Sequence, residues 1–471
     1  MRRTLLLHIL MPCLMVLLCS SGCQTVSSTP DTTVSTLPTI DTSLSPEDLY
    51  QAAIQHTAQQ NHLTMQVTYT EQMTVSGETF PSQITQTIHY QNLNTYNFRA
   101  CISQSAAYGT YVSESNQIYA DGQMYTQLAG KTYTTDIRKE AFLKLFAPLE
   151  LLEASKYQSI TADSTGVITF SNATAAESWL IPTGAILSDA LGSATVNTDG
   201  LLSRASYTAS YTYGQASYRC SINITFPPEY TAEIIVPKEQ ALTLDAPESL
   251  FLLERAFGHL LHAESVASDI TKRTACQASG IIQNHTININ SFPTGGEYTL
   301  MVEQSVNQLN ASAGNRETQY RLKEIFQNGQ YTYTENDGTA IHNDKLTVGD
   351  MRKYVHSLLR ENILDIGYIN GATTTQLKGC YLIEFKCNSA LGNALCAAAS
   401  EDLFDDPEFL DNMASEYAIE ALTFHMTFDK YTRLPVSLKT YYVGTHTIYE
   451  AQYPLTVQIE QDFQFGTKSL P

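Results

Sequence analysis

Tryptophan, basic residues and long apolar runs are all scarce in this chain of 471 residues. There is one tryptophan, and 27 Lys and Arg stand against 47 Asp and Glu, which leaves a net charge of −20. An acidic surface argues against nucleic acid or anionic lipid headgroups as main partners. After the N-terminal leader, no segment approaches the ~20 apolar residues of a spanning helix. We therefore expect no nucleic-acid partner and no transmembrane helix.

Cysteine is also sparse after the leader. Cys380 and Cys387 share a predicted strand at odd spacing, so they face opposite sides and cannot pair along it. An exported chain permits disulfides, and the sequence leaves open whether any forms. The spacings do not match structural zinc patterns. Six cysteines follow the leader: Cys101, Cys220, Cys276, Cys380, Cys387 and Cys396.

The N-terminus has the features of an export signal. Arg2 and Arg3 precede an apolar run that is too short for a membrane span, and this predicts a signal peptide over residues 1–22. Ser20-Ser21-Gly22-Cys23 resembles a bacterial lipobox, which implies cleavage before Cys23 and lipid attachment to its thiol. Ordinary cleavage without lipidation is the alternative. Residues 23–45 are rich in Ser, Thr and Pro, and we interpret them as a tether. The chain is thus expected on the outer surface of the cell membrane, anchored by its lipid.

The second half of the chain repeats the order of elements in the first half. Ile118–Tyr125, with Asp121-Gly122 as its turn, has a partner in Ile325–Thr332, with Asn328-Gly329 as its turn. Each hairpin lies at the same place in the order helix, strands, hairpin, helix, strand, helix, strands. We therefore predict an α+β fold of two tandem copies of a curved antiparallel sheet, with helices covering the concave face. The predicted domains are residues 46–228 and 247–467, joined by a linker at 229–246.

Alternation of apolar and polar residues predicts the strands, and apolar stripes predict the helices. Met65, Val67 and Tyr69 alternate with Gln66, Thr68 and Thr70 in the first copy. Predicted helices begin after Ser45 and Thr347, both suitable N-caps. Further helices are expected near Phe142, at Ala175–Leu191, over Leu250–Leu261 and at Leu391–Met413.

This order, the lipobox and the Tyr-x-x-Gly-x-x-Tyr hairpin at Tyr119–Tyr125 resemble the LolA/LolB and LppX/LprG group of lipid- and lipoprotein-carrying half-barrels. The resemblance implies non-covalent binding of a lipid, another amphiphile or a lipidated partner in a hydrophobic cavity, and it carries no catalytic residues. The alternative is a non-catalytic structural or interaction protein with filled half-barrels. The expected ligand contacts, which form the core if no cavity exists, are Phe142, Leu145, Phe146, Met351, Val355, Leu358 and Leu359.

Catalytic and metal-binding motifs are not evident in the sequence. There is no Gly-x-Ser-x-Gly, His-Glu-x-x-His or phosphate-binding loop, so we predict that the chain is not an enzyme and needs no cofactor or metal. His259 and His262 are spaced as a ligand pair on a helix, but no third ligand lies near them. The acidic residues between Glu401 and Asp411 are interpreted as a solvated helix face rather than a Ca²⁺ site.

Overall fold

The computed structural model describes residues 44–145, 157–163, 167–173, 181–182, 184–227, 233–238, 242–243, 248–294, 297–311, 314–343, 345–363, 366–388, 415–448 and 450–466. The predicted leader, Cys23, the tether, Phe146, Cys396 and the predicted helix Leu391–Met413 lie outside these ranges. None of the described helices is long and apolar enough to cross a membrane.

Two large sheets dominate the fold. The strands of the first are β1 His62–Val75, β2 Glu78–Gln91, β3 Arg99–Tyr108, β4 Tyr111–Ala120, β5 Gln123–Leu128, β6 Lys131–Asp136, β7 Tyr157–Ala162, β8 Val167–Ala173, β9 Ile186–Val196, β10 Leu202–Tyr213, β11 Ala216–Thr225 and β12 Leu242–Thr243. The strands of the second are β13 Val266–Cys276, β14 Ile281–Thr294, β15 Glu297–Asn310, β16 Arg316–Gln327, β17 Gln330–Glu335, β18 Ile341–Asn343, β19 Ile369–Leu377, β20 Cys380–Cys387, β21 Ser415–Asp429, β22 Pro435–Ile448 and β23 Ala451–Phe465.

Each sheet is a meander whose last long strand returns to its first. The first sheet has the order β12-β6-β5-β4-β3-β2-β1-β11-β10-β9-β8-β7, and the second has the order β18-β17-β16-β15-β14-β13-β23-β22-β21-β20-β19. All pairings are antiparallel except β12 with β6. Both sheets are curved, and within the described residues neither closes into a barrel.

The two predicted hairpin turns are confirmed. Asp121 and Gly122 join β4 to β5, and Asn328 and Gly329 join β16 to β17. All four residues have positive φ, from 53° to 80°. A two-residue hairpin turn of this kind needs left-handed backbone, which Gly, Asn and Asp adopt at least cost. The turn chemistry therefore fixes both strand boundaries and register at these two points.

The predicted helix over Ala175–Leu191 is wrong where the structure describes it. Ile186–Val196 forms strand β9, which pairs with both β8 and β10. The stretch contains alanine and leucine, which favour helix locally, but two neighbouring strands supply backbone hydrogen bonds and cover Ala190 and Ala194. Strands β7 and β19 were not anticipated by the sequence patterns.

Four helices occur among the described residues: α1 Pro46–Ala58, α2 Lys139–Leu145, α3 Glu248–His262 and α4 Val348–Arg360. Ser45 caps α1, and its hydroxyl accepts a hydrogen bond from the Asp48 amide. Thr347 caps α4 in a capping box with Asp350. Both predicted N-caps are confirmed. We call the face of each sheet on which the helices pack its inner face, and the opposite face its outer face.

Helix α3 lies between the two sheets. On one side, Gly258 lies so close to Tyr108 of β3 that a Cβ at position 258 would be 2.2 Å from the Tyr108 Cβ. On the other side, the Ser249 hydroxyl lies 2.6 Å from that of Thr374 in β19. The Phe257 ring is stacked on Tyr111 of the first sheet. Although α3 precedes the second sheet in the chain, it covers the inner face of the first.

A substitution at Gly258 tests this close approach. Gly258→Ala is expected to lower the free energy of unfolding by about 1–3 kcal/mol, because the added methyl group must displace Tyr108. Helix propensity alone would raise it by about 1 kcal/mol. The matched control is Gly349→Ala in α4, where the nearest atom to the new Cβ is 3.6 Å away, so propensity should prevail. Urea denaturation followed by circular dichroism measures both, and a stabilised Gly258→Ala variant would contradict the close packing of Gly258 against Tyr108.

Candidate functional site

The predicted ligand-contact residues that the structure describes lie on two helices, α2 and α4, which belong to different halves of the chain. Phe142 of α2 is fully buried and packs 4.7 Å from the ring of Tyr119, whereas Leu145 is 46% exposed. Phe146 lies outside the described residues. In α4, Met351, Val355 and Leu359 are buried and Leu358 is half-buried. The structure does not bring the α2 and α4 residues together, and their contact with a ligand stays a prediction.

The inner face of the first sheet holds a buried ion pair beneath α3. The Arg255 Nη2 atom lies 2.5 Å from the Glu71 Oε1 atom, and both side chains are less than 10% exposed. The Tyr69 hydroxyl donates to Glu71 Oε2 at 2.6 Å. Burial raises the pKa of Glu71, but the Arg255 guanidinium and the Tyr69 hydrogen bond outweigh it, so this pKa lies below its ordinary value. Glu71 and Arg255 therefore stay charged and join α3 to β1.

Next to this pair, α3 buries two further polar groups. Glu254 is 3% exposed and accepts a hydrogen bond from the Ser113 hydroxyl, and burial raises its pKa to about 7. His259 is fully buried between the rings of Phe80 and Tyr108. Burial, and then the nearby Arg255 charge, hold the pKa of His259 well below its ordinary value. Glu254 thus exchanges its proton near neutral pH, while His259 stays neutral.

The inner face of the second sheet carries a tyrosine–carboxylate network. The hydroxyls of Tyr331 and Tyr354 each donate to Glu324 at 2.5 Å, one to each carboxylate oxygen. Gln304 extends the network toward His285, 3.2 Å away. Burial, together with Glu324, raises the pKa of both tyrosines. These groups satisfy one another, so the network positions β15, β16, β17 and α4 rather than presenting a reactive group.

A polar groove of about 1010 Å³ runs along the outer face of the first sheet. The outer side chains that line it form two rows that cross the strands. The longer row takes one residue from each of β1 to β6, in successive register pairs. Its members are Gln66, Thr87, Ser103, Asn116, Gln127 and Thr132; the shorter row is Thr68, Thr85, Ser105 and Glu114.

Side chains of the longer row make no hydrogen bond to any described residue. Elsewhere on the same face, hydroxyls pair with each other: Thr70 with Ser221 at 2.7 Å, and Ser193 with Ser206 at 2.8 Å. Lys131 also lines the groove, but its ammonium group donates to Ile369 and Asn370 of the second sheet. The longer row of the groove therefore presents uncharged donors and acceptors whose hydrogen-bonding capacity is unused.

Sequence patterns did not identify the groove. Thr, Ser, Gln and Asn on the polar phase of a strand are the ordinary solvated side of an antiparallel sheet. The useful signal would have been the register, because only pairing across β1 to β6 brings residues 66 and 132 into one row. The sequence predicts the alternation within each strand, but it does not predict which residues of neighbouring strands lie side by side.

The candidate metal ligands do not assemble a site among the described residues. No group of three or more His, Cys, Asp or Glu side chains there could hold a metal ion. His259 is enclosed by aromatic rings, and His262 packs against Gly109. The acidic residues between Glu401 and Asp411 lie outside the described ranges. Within those ranges, Cys220, Cys276, Cys380 and Cys387 are free thiols.

Comparison with known proteins gives only distant likenesses. No family model and no curated protein matches the chain, so membership of the half-barrel group stays a prediction. The structure of LprF from Mycobacterium bovis is similar with 14% identity, 41% of this chain and 96% of that chain covered, and a TM-score of 0.23. A DUF3598-family protein of unknown function from Nostoc punctiforme has 6% identity, coverage of 88% and 98%, and a TM-score of 0.15. Kievitone hydratase from Nectria haematococca has 6% identity, coverage of 85% and 89%, and a TM-score of 0.13. At these scores none of the three assigns a function to this chain.

The pKa of Glu254 predicts a pH-dependent stability. Burial raises this pKa in the folded state above its ordinary value of 4.5. The contribution of Glu254 to the free energy of unfolding is therefore complete below pH 4.5 and is lost as pH rises to about 7. Glu254→Gln keeps an acceptor for Ser113 and removes the titration. The difference in unfolding free energy, wild type minus variant, should fall by up to about 3 kcal/mol across this window.

Urea midpoints measured from pH 4.5 to 8 check this expectation. The wild type and the variant must be compared at each pH, because His259 changes the stability of both in the opposite direction. Its pKa is lowered in the folded state, so the stabilisation from neutral His259 is present above pH 6.5 and is lost as pH falls below that value. Glu71→Gln serves as the second variant. It should destabilise at every pH in the window by about 3–5 kcal/mol, since it leaves the buried Arg255 unpaired. A constant difference between wild type and Glu254→Gln would show that Glu254 is ionised throughout.

Proposed function

We propose that this chain is a lipid-anchored, non-catalytic binding protein of the bacterial cell envelope. In this proposal the protein consists of two tandem half-barrels whose inner faces are filled by its own side chains. Its outer surface is displayed to an envelope polymer or a protein partner. The observation that carries the proposal is the coverage of the first sheet's inner face by α2 and α3, combined with an open polar groove on its outer face.

Packing on the inner faces supports the filled half-barrels. Phe142, Val355 and Leu359, which a carrier would offer to a lipid, are at most 1% exposed. Beneath α3, the ionised Glu71–Arg255 pair is buried on this face, and an acyl chain in contact with it would give a buried charge no compensating hydrogen bond. These surroundings favour a packed protein core over a lipid-binding cavity in the first half.

Correspondence of the strand orders supports the duplication. In each sheet, apart from the two-residue strand β12, the first strand is followed by five strands on one side, and five later strands lie on its other side. The last of these later strands pairs with the first strand. The two confirmed hairpin turns occupy the same place in each series, before the fifth strand. A repeated unit accounts for this correspondence without a separate origin for each half.

An amphiphile carrier remains a second candidate, because the second sheet is less completely covered. Val306 and Leu322 on its inner face are only half-buried, and Tyr320 is 36% exposed. Leu358 of α4 is also half-buried on this side. A small apolar surface beside the Glu324 network would suit an amphiphile whose polar head hydrogen-bonds to tyrosine hydroxyls.

Solvent extraction and mass spectrometry of the full chain purified from membranes distinguish the two candidates. The proposal predicts no stoichiometric non-covalent lipid. One amphiphile per chain that disappears in Leu322→Gln, but not in the control Leu377→Gln, would establish the carrier function instead. Leu377 is 44% exposed on β19 and suits the control, since its change adds no buried polar group.

Lipid anchoring depends on Cys23 and is tested separately. Cys23→Ala is expected to move the protein from the membrane fraction to the soluble fraction and to abolish incorporation of a labelled fatty acid, because the thiol is the attachment point in the lipobox-like sequence. Fractionation and metabolic labelling in a bacterial host measure both. Ser21→Ala, which keeps a small residue before the cleavage point, is the control. Equal labelling of Cys23→Ala and wild type would exclude this anchor.

A further inference from the structure

We propose that the outer-face groove of the first sheet binds a neutral linear polysaccharide lying across strands β1 to β6. This inference rests on the proposed function and specifies the ligand class. The groove has a volume of about 1010 Å³, and the side chains of its longer row are three hydroxyl groups and three carboxamides. Hydroxyl and carboxamide groups both donate and accept hydrogen bonds, as sugar hydroxyls do.

Charge favours a neutral ligand over a charged one. The chain carries a net charge of −20, which disfavours a polyanion at any surface without a basic cluster. Among the described residues that line the groove, Glu114 is the only acidic one, and a single carboxylate is too few to hold a polycation. The ammonium group of Lys131, which also lines the groove, donates to Ile369 and Asn370.

The spacing of the row suits a polymer of regular repeat. Neighbouring strands are separated by about 4.8 Å, so a row that crosses six strands spans roughly 24 Å. The separation between neighbouring strands is close to the length of one sugar unit in an extended glycan chain. Each successive unit would then meet a new side chain: Gln66, Thr87, Ser103, Asn116, Gln127 and Thr132.

Hydrogen-bonding capacity is unused along the longer row of the groove. Side chains of the longer row have no hydrogen-bond partner in the described structure, whereas Thr70 and Ser221, outside the groove, satisfy each other. Thr132 is only 7% exposed yet remains in the lining. A sugar hydroxyl can replace the water on these groups with little rearrangement, because strand pairing fixes their backbone.

Affinity gel electrophoresis of the wild-type chain tests this assignment. The probes are hydroxyethylcellulose, soluble starch and mannan as neutral glycans, and polygalacturonate as an anionic one. At least one neutral glycan should retard the protein, and polygalacturonate should not. Asn116→Ala with Gln127→Ala should weaken the retardation at least tenfold, since each lost hydrogen bond costs about fivefold in affinity.

The matched control is Asn284→Ala with Gln464→Ala, the same two changes at exposed positions of β14 and β23 in the second sheet. It should leave the retardation unchanged. Equal loss in both double variants, retardation by polygalacturonate alone, or no retardation by any glycan would overturn the groove assignment. Co-sedimentation with purified cell walls separates this failure from that of the proposed function. Wall binding that survives Asn116→Ala with Gln127→Ala keeps an envelope-binding role and rejects this groove as its site.

Discussion

The docking of α3 between the two sheets is the interaction on which the rest of the architecture depends. It brings Arg255 to Glu71 on β1, places the Glu254 side chain at Ser113 on β4, and contacts β19 through Ser249. Two opposite charges buried together cost far less than either one alone, so the pair selects one position of the helix. The inner face of the first sheet is thereby covered by a helix that the sequence assigns to the second half.

Period-two alternation divides each strand between two tasks. The inner phase of β1, with Met65 and Val67, contributes to the core, whereas the outer phase, with Gln66 and Thr68, faces the groove. Because register keeps opposed residues on one face, every pairing extends both surfaces by one strand. A binding surface on the outer face can therefore vary without disturbing the packing beneath it.

The two halves differ in how completely their inner faces are covered. The β15–β16 end of the second sheet leaves Leu322 and Tyr320 partly accessible. At this end, hydrogen bonds to Glu324 connect the strands and α4 in place of apolar packing. Because of this asymmetry, we propose an outer-surface function for the first half and keep an amphiphile carrier as a second candidate for the second half.

Local sequence signals determined the faces of the strands, the turns at Gly122 and Gly329, and the cap at Thr347, because alternation, left-handed backbone and N-capping each act within a few residues. Only the tertiary structure decided that Ile186–Val196 is a strand and that α3 covers the first sheet, since both depend on partners far along the chain. The groove belongs to the second kind. Its six-residue row exists only after six strands have paired in register, and no local property of Gln66 identifies Thr132 as a member of the same row.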